Sequence, residues 1–294
     1  MTAIGFIGLG RMGAPMAARL VAAGHQLTVL DASADAVTRF LADHPAAQAE
    51  TARQLAAGCE TIVTMLPTSA VVAEVLAGPD GALAGLRPGA LVIEMSSGVP
   101  ATTQALAADV ERAGAVLIDA PVSGGVARAL TGELAIMVGG PPDAVARAGP
   151  ILRAMGASIL PTGAVGTAHA MKALNNLVSA AGFLVSVEAL LIGKRFGLDP
   201  AVMVDVLNAS TGMNNSTQKK LKPFVLSRAF NSGFGLDLMV KDLSIALDLA
   251  QDGAVSAPLS SLTRELWAAA LAMDVGPDHT DAARLSERLA GLEL

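Results

Sequence analysis

The chain has 294 residues, 52% of them hydrophobic and 16% charged, with a formal net charge of −6. That length exceeds what one core usually organises and predicts two domains, while dispersed basic residues in an acidic chain lack the clustered basic face that nucleic acid would require. A single cysteine, Cys59, excludes a disulfide framework.

Taken in chain order, Ala3–Ile7 is a short apolar run ending in glycines and predicts a strand. Residues 15–23 have helical spacing, with Met16, Leu20 and Val21 on one side and Gly24 closing the helix. Gln26–Leu30 predicts a second strand, ended by Asp31. Cys59 borders an apolar run and reads as buried core rather than as a nucleophile. Further strands are predicted over 61–66, 90–95, 116–120 and 134–138, ending at Pro67, Ser96, Pro121 and the Gly139-Gly140 pair. Helical segments separate most of them. Such alternation implies a mostly parallel sheet with helices on both faces.

The pattern changes near Pro161. Residues 168–195 are nearly all good helix formers without proline, roughly 28 residues or about 42 Å of helix, long enough to pass between domains. Helical periodicity then continues over 201–207, 241–251, 258–273 and 281–289. The expected organisation is an α/β domain over 1–162 and an all-helical domain over 163–294. No run reaches the ~18 to 20 uninterrupted apolar residues of a membrane span. No basic stretch precedes the first apolar run, so no signal peptide is read. A cytoplasmic enzyme is the expectation.

Gly8-Leu9-Gly10-Arg11-Met12-Gly13 follows the first strand and opens a helix. Glycines there allow a tight turn and close approach of a pyrophosphate, which the free N–H groups of the helix terminus then face. Three glycines alone are a weak signal. Asp31, about 20 residues on at the end of the second strand, stands where a ribose-binding carboxylate belongs. Together they predict a Rossmann dinucleotide-binding domain. A carboxylate at Asp31 accepts bonds from two ribose hydroxyls and repels a 2′-phosphate. Ala32-Ser33-Ala34 supplies no arginine for such a phosphate, so NAD is expected over NADP.

Ligands in such sheets lie beyond the carboxyl ends of the strands. Three ends carry polar or glycine-rich runs: Leu66-Pro67-Thr68-Ser69, Ser96-Ser97-Gly98 and Pro121-Val122-Ser123-Gly124-Gly125. Ser123 with its two glycines offers a hydroxyl and bare N–H groups to a carboxylate, although each run alone also fits an ordinary loop. On the long helix, Lys172 and Asn176 are four apart and share a face. A partly desolvated amine exchanges protons near neutrality. Spacing alone fits a solvated surface lysine equally well. His169 lies one turn before Lys172 and is a candidate supporting residue. The four histidines are dispersed and no ligand-spaced His/Cys/Asp/Glu cluster occurs, so no metal is expected.

At these residues the sequence resembles the β-hydroxyacid dehydrogenase family over essentially its whole length. The resemblance rests on residues Gly5 through Gly13, then Thr64-Met65-Leu66-Pro67, Asp119-Ala120-Pro121-Val122-Ser123-Gly124-Gly125, Gly166 through Lys172 to Asn175-Asn176, and Gly233-Phe234 leading to Lys241-Asp242-Leu243. It implies that Leu66 and Pro67 line the cofactor pocket and that Ser97 lies near the nicotinamide ribose. It further implies that Ser123, Gly124 and Gly125 bind the substrate carboxylate, with Asn176 beside the substrate. Lys172 would be the catalytic lysine, and Lys241 would reach the cofactor. Val71 and Gly98 depart from the family's pattern, which often has asparagine and a bulkier residue there. Residues 210–216 vary across the family and bear on substrate choice.

The implied reaction is NAD-dependent oxidation of a small 3-hydroxy acid, 3-hydroxyisobutyrate-like, to its semialdehyde. Tartronate semialdehyde reduction and serine or threonate oxidation would use the same motifs. An imine reductase would carry another residue in place of Lys172, and a non-catalytic NAD-binding protein would be expected to lose the lysine. The long helix, apolar around much of its circumference, and the resemblance both lead to an expected homodimer or homotetramer.

Overall fold

The computed structural model describes residues 2–294. The first compact unit runs through Lys172 and the second is Ala173–Leu294. The division falls inside the long helix, ten residues beyond the boundary expected from composition.

The first unit alternates β1 (Ala3–Ile7), α1 (Gly13–Ala22), β2 (Gln26–Leu30), α2 (Ala34–Asp43), β3 (Ala47–Gln48), α3 (Ala52–Gly58), β4 (Thr61–Thr64), α4 (Ser69–Ala77), β5 (Leu91–Glu94), α5 (Pro100–Arg112) and β6 (Val116–Asp119). β7 (Val122–Ser123), α6 (Gly125–Thr131), β8 (Leu134–Gly139), α7 (Pro142–Met155) and β9 (Gly156–Gly163) complete it. Hydroxyls start three of the helices: the side chains of Ser33, Thr51 and Thr68 accept from Ala36 N, Gln54 N and Val71 N. The strand order β3-β2-β1-β4-β5-β6 is parallel throughout, and β7 and β8 then join antiparallel. β1 pairs with both β2 and β4. The direction of winding therefore reverses at β1, and the crevice beyond its carboxyl end is the expected ligand position.

Every residue of β4 and β5 is buried, as befits strands covered on both faces. Phe6, Met16, Leu20, Val63 and Ile93 pack in one core layer; Ile7, Leu55, Ile62, Leu76 and Val92 pack in the other. Cys59 is buried, and that burial pushes its thiol pKa up.

β9 is a strand that the sequence did not suggest. Pro161 looks like a terminator there, yet β9 pairs only with β8, in parallel. An edge position leaves no second partner to lose the missing N–H. β4 ends two residues sooner than expected because Leu66 N leaves the ladder and donates to Ser96 Oγ at 2.9 Å.

The long helix α8 (Thr167–Phe196) runs from the first unit into the second. It is followed by α9 (Pro200–Asn208), α10 (Asn215–Lys219), a π-helical turn at Leu221–Leu226, α11 (Leu236–Asp252), α12 (Pro258–Ala272) and α13 (Ala283–Ala290). Phe183, Val187, Leu190, Leu243 and Trp267 centre this unit's core. By length and mean hydropathy α8 could cross a membrane, but half of its most apolar stretch is buried within the protein, where it serves as a core helix.

Candidate active site

The glycine-rich turn after β1 has two kinds of glycine. A Cβ on Gly8 would lie 2.2 Å from Met65 O, and one on Gly13 would lie 1.8 Å from Gly8 O; both positions are closed by backbone. A Cβ on Gly10 would meet nothing within 4 Å. Gly8 and Gly13 thus fold the turn tightly, while Gly10 leaves its outer side open to a ligand. No side chain caps α1, and its first turn carries no acid. The uncapped amides beside Met12 suit an anion. Arg11 is exposed at the turn's outer edge.

Asp31 lies against this turn. Leu9 N donates to Asp31 Oδ2 at 2.6 Å and Ser33 N to Oδ1 at 2.7 Å. Each oxygen retains lone-pair capacity for a ribose hydroxyl. Ser33, not Asp31, caps α2. Open glycine, uncapped helix and adjacent acid fit an adenine dinucleotide.

At the other strand ends, Leu66 is half-buried and Pro67 exposed. Ser69 Oγ accepts from Val99 N at 2.7 Å and so ties the turn after β4 to the turn after β5, where Ser97 is half-buried. Ser123 closes β7. Gly124 and Gly125 follow with φ of 133° and 69°, conformations that a side chain would strain, and a Cβ on Gly125 would meet nothing within 4 Å.

Along α8, His169, Lys172, Asn176 and Ser179 recur at the three- and four-residue spacing of one face. Lys172 is buried, with 8% of its surface exposed. Asn176 is buried and its Nδ2 donates to Asp242 Oδ2 at 2.6 Å; Lys241 Nζ lies 3.4 Å from Asp242 Oδ1. The buried Asp242 therefore holds both residues that the sequence proposed in the helical unit. Lys220 Nζ donates to Ser179 Oγ at 3.3 Å, and Asn214 Nδ2 to Ser186 Oγ at 2.9 Å, fastening the variable 210–216 segment to α8.

The turn before Lys172 is the most polar buried place in the first unit. His169 Nε2 lies 2.8 Å from Glu94 Oε2, an ion pair rather than an in-line hydrogen bond. Asp119 caps the start of α8, its two oxygens accepting from Gly166 N at 2.8 Å and His169 N at 2.9 Å. Burial opposes charge on the imidazole, but Glu94 and then Asp119 outweigh it and raise the His169 pKa above its ordinary value. Burial likewise opposes charge on Glu94, and His169 with the Ser96 contacts outweighs it and lowers that pKa. Neither carboxylate was given a role by the sequence reading, nor was Asp242. Their common signal is an acid inside an apolar run, as in Leu91-Val92-Ile93-Glu94 and Val116-Leu117-Ile118-Asp119.

Gly98 also finds its reason here. A Cβ on it would come within 2.9 Å of His169 Cε1 and 3.2 Å of Glu94 Oε2. The imidazole ring takes the space that a bulkier residue would need.

The family described as the NAD binding domain of 6-phosphogluconate dehydrogenase matches residues 3–166, and that described as NAD-binding of NADP-dependent 3-hydroxyisobutyrate dehydrogenase matches 166–286. The chain is 40% identical to 3-sulfolactaldehyde reductase of Escherichia coli, covering 94% of this chain and 92% of that protein. It is 37% identical to 3-hydroxyisobutyrate dehydrogenase of Pseudomonas aeruginosa, covering 99% of each. The solved structure of Mycobacterium tuberculosis 3-hydroxyisobutyrate dehydrogenase with L-serine superimposes with a TM-score of 0.89 at 34% identity, covering 97% of this chain and 98% of that one.

Proposed function

This chain belongs to the β-hydroxyacid dehydrogenase family, and we propose that it oxidises an acid of the 3-hydroxyisobutyrate type to its semialdehyde, with Lys172 as the proton-transfer group. It is an NAD-binding oxidoreductase of small hydroxy acids. The observation that carries the assignment of Lys172 is its burial on an apolar helix one turn before Asn176, which Asp242 orients.

In the proposed reaction, Ser123 and the amides of Gly124 and Gly125 bind the substrate carboxylate. Asn176 orients the hydroxyl toward Lys172. Bound NAD supplies the hydride acceptor, over which Leu66, Pro67, Ser97 and Lys241 are assigned. Lys172 takes the hydroxyl proton as the carbinol C–H hydride departs, and returns it in the reduction. A placed acid–base group contributes about 10²- to 10⁴-fold, and orientation of the reacting carbon adds to it.

A steady-state panel of 3-hydroxyisobutyrate, serine, threonate, tartronate semialdehyde and 3-sulfolactaldehyde with NAD or NADH tests the substrate. Highest kcat/KM for 3-hydroxyisobutyrate is expected; highest kcat/KM for another acid would reassign the substrate to it. Lys172→Ala should lower kcat at least ~10²-fold with NADH affinity nearly unchanged. Near-normal turnover would remove the lysine from the mechanism. Asp31→Ala should narrow a preference for NAD over NADP.

We also infer a cytoplasmic homo-oligomer. Val178, Val185 and Ile192 recur every seven residues on α8 and are 74%, 60% and 72% exposed, a stripe suited to a facing helix of a second copy. Light scattering at micromolar concentration should give at least two chains. The mass of one chain with full activity would refute the interface.

A further inference from the structure

We propose that His169 and Glu94 form a positioning device for Lys172, in which Glu94 at the end of β5 grips the imidazole one turn before the lysine and Gly98 leaves the room for that grip. The proposal rests on the assignment of Lys172 as proton-transfer group and adds residues that fix where its amine lies.

Four observations converge on it. First, His169 and Lys172 are three apart on α8, so their side chains are neighbours on one face. Whatever fixes the ring fixes the helix turn from which the lysine extends. Second, the ring is held at both nitrogens. Nε2 faces Glu94 at 2.8 Å, and Nδ1 lies 2.9 Å from Thr103 Oγ1. Thr103 donates its own proton to Val99 O at 3.2 Å, so its oxygen is left to accept from Nδ1. A ring that donates on one side and faces a carboxylate on the other is favoured as the imidazolium. Third, both side chains are almost wholly buried, 0% and 1% exposed. Two charges taken out of water are retained only where good geometry holds them. Fourth, the device reaches the cofactor side. Glu94 Oε1 accepts from Ser96 N at 2.8 Å, and Ser96 Oγ accepts from Leu66 N at 2.9 Å. One chain of polar contacts, an ion pair followed by two hydrogen bonds, thus runs from the turn bearing Lys172 to the turn bearing Leu66 and Pro67.

The charged groups around the lysine turn are few. Glu94 from β5 and Asp119 from β6 are the acids on His169, and His169 is the base that faces them; Thr103, Ser96 and Gly98 contribute no charge. Farther along α8, Asn176 is bonded to Asp242, which is itself paired with Lys241. None of the groups of His, Cys, Asp and Glu among the described residues could hold a metal ion, so this cluster is not a metal site in disguise.

The device predicts effects on the chemical step rather than on binding. His169→Gln leaves Glu94 and Asp119, one turn before Lys172, without their counter-charge. It should lower kcat about 10-fold or more, since small misplacements of a reacting group cost that much, and should move the acidic limb of the kcat–pH profile to higher pH. KM for the most active acid of the panel and the dissociation constant of NADH should stay within about twofold. His169→Gln combined with Glu94→Gln restores the cluster's net charge and should return the limb toward wild type while kcat stays low. Gly98→Ala alters no titratable group and should lower kcat by displacing the ring. Thermal unfolding of each variant gives the folded fraction.

Loss of activity in proportion to unfolded protein, with an unshifted profile, would reduce the pair to a structural role and overturn the proposal. So would kcat within twofold of wild type in folded His169→Gln and Gly98→Ala. Lys172→Ala separates the two layers. If it is inactive while these variants are normal, only the positioning device fails; if it is active, the assignment beneath fails.

Discussion

Each unit of the protein buries one histidine beside an acid, and the two imidazoles have their pKa values pushed in opposite directions. His169 is raised toward the imidazolium; His279 has its pKa lowered to about 4, by burial first and by Lys220 second, with Asp278 opposing. Distance to a carboxylate is part of the difference, since Glu94 lies 2.8 Å from His169 and Asp278 lies 3.6 Å from His279. The acid and the ring also differ in what else they touch. Asp278 already accepts from Thr280 N, Thr280 Oγ1, Ser232 Oγ and Gly233 N. The His279 ring lies among Phe183, Phe234 and Trp267, and its Nε2 has no hydrogen-bond partner. A carboxylate satisfied by four donors offers little to a neighbouring base. A carboxylate aimed at the base raises its pKa.

The comparison can be broken most severely at Glu94. Glu94→Leu removes the nearer carboxylate from the His169 ring and leaves Asp119 at 4.0 Å and Thr103 as its polar partners. Removing one side of a buried pair costs about 3–5 kcal/mol, which urea unfolding at pH 6 should record, with a smaller loss when Glu94→Gln and His169→Gln are combined.

A second effect, about 3 kcal/mol, separates the two histidines by acid. The folded His279 pKa lies below the ordinary value, so its contribution is present above about pH 6.5 and is lost as pH falls toward 4. Far-ultraviolet circular dichroism in urea between pH 7 and 4 should show the stability falling through that window. His279→Gln should flatten the fall.

A third effect lies on the alkaline side. The folded His169 pKa is raised, so its contribution is full below about pH 6.5 and is lost as pH climbs through the raised value. Glu94, with its pKa lowered, contributes above its ordinary range and loses that contribution in acid. The pair therefore stabilises most between the two. Unfolding curves from pH 6 to 10 should show a decline that His169→Gln removes; an unchanged decline would separate His169 from it.

Much of this was legible in the sequence because it is written locally. Glycine spacing after β1, an acid at the end of β2 and helix-forming composition over 168–195 each announce an element within a few residues. β9 was missed because Pro161 breaks a strand only where both edges pair, and edge position is a property of the whole sheet. The early start of α11, at Leu236 rather than near 241, was hidden because no side chain caps it and glycines precede it. The carboxylates Glu94, Asp119 and Asp242 were missed for a related reason. Each acts on a residue 47 to 75 positions away along the chain, and only the fold shows that one acid faces a histidine, another a helix start and the third an asparagine.

Trp267 sits fully buried in α12, its ring nearly parallel to that of His279 at 6.3 Å, and the chain has no other tryptophan and no tyrosine. Tryptophan emission from this protein therefore originates in the helical unit, and the sheet with its dinucleotide turn contributes none of it. Protonated imidazole quenches indole far more strongly than the neutral ring. The protein thus carries its own optical gauge of His279, one that dims as the ring takes up a proton.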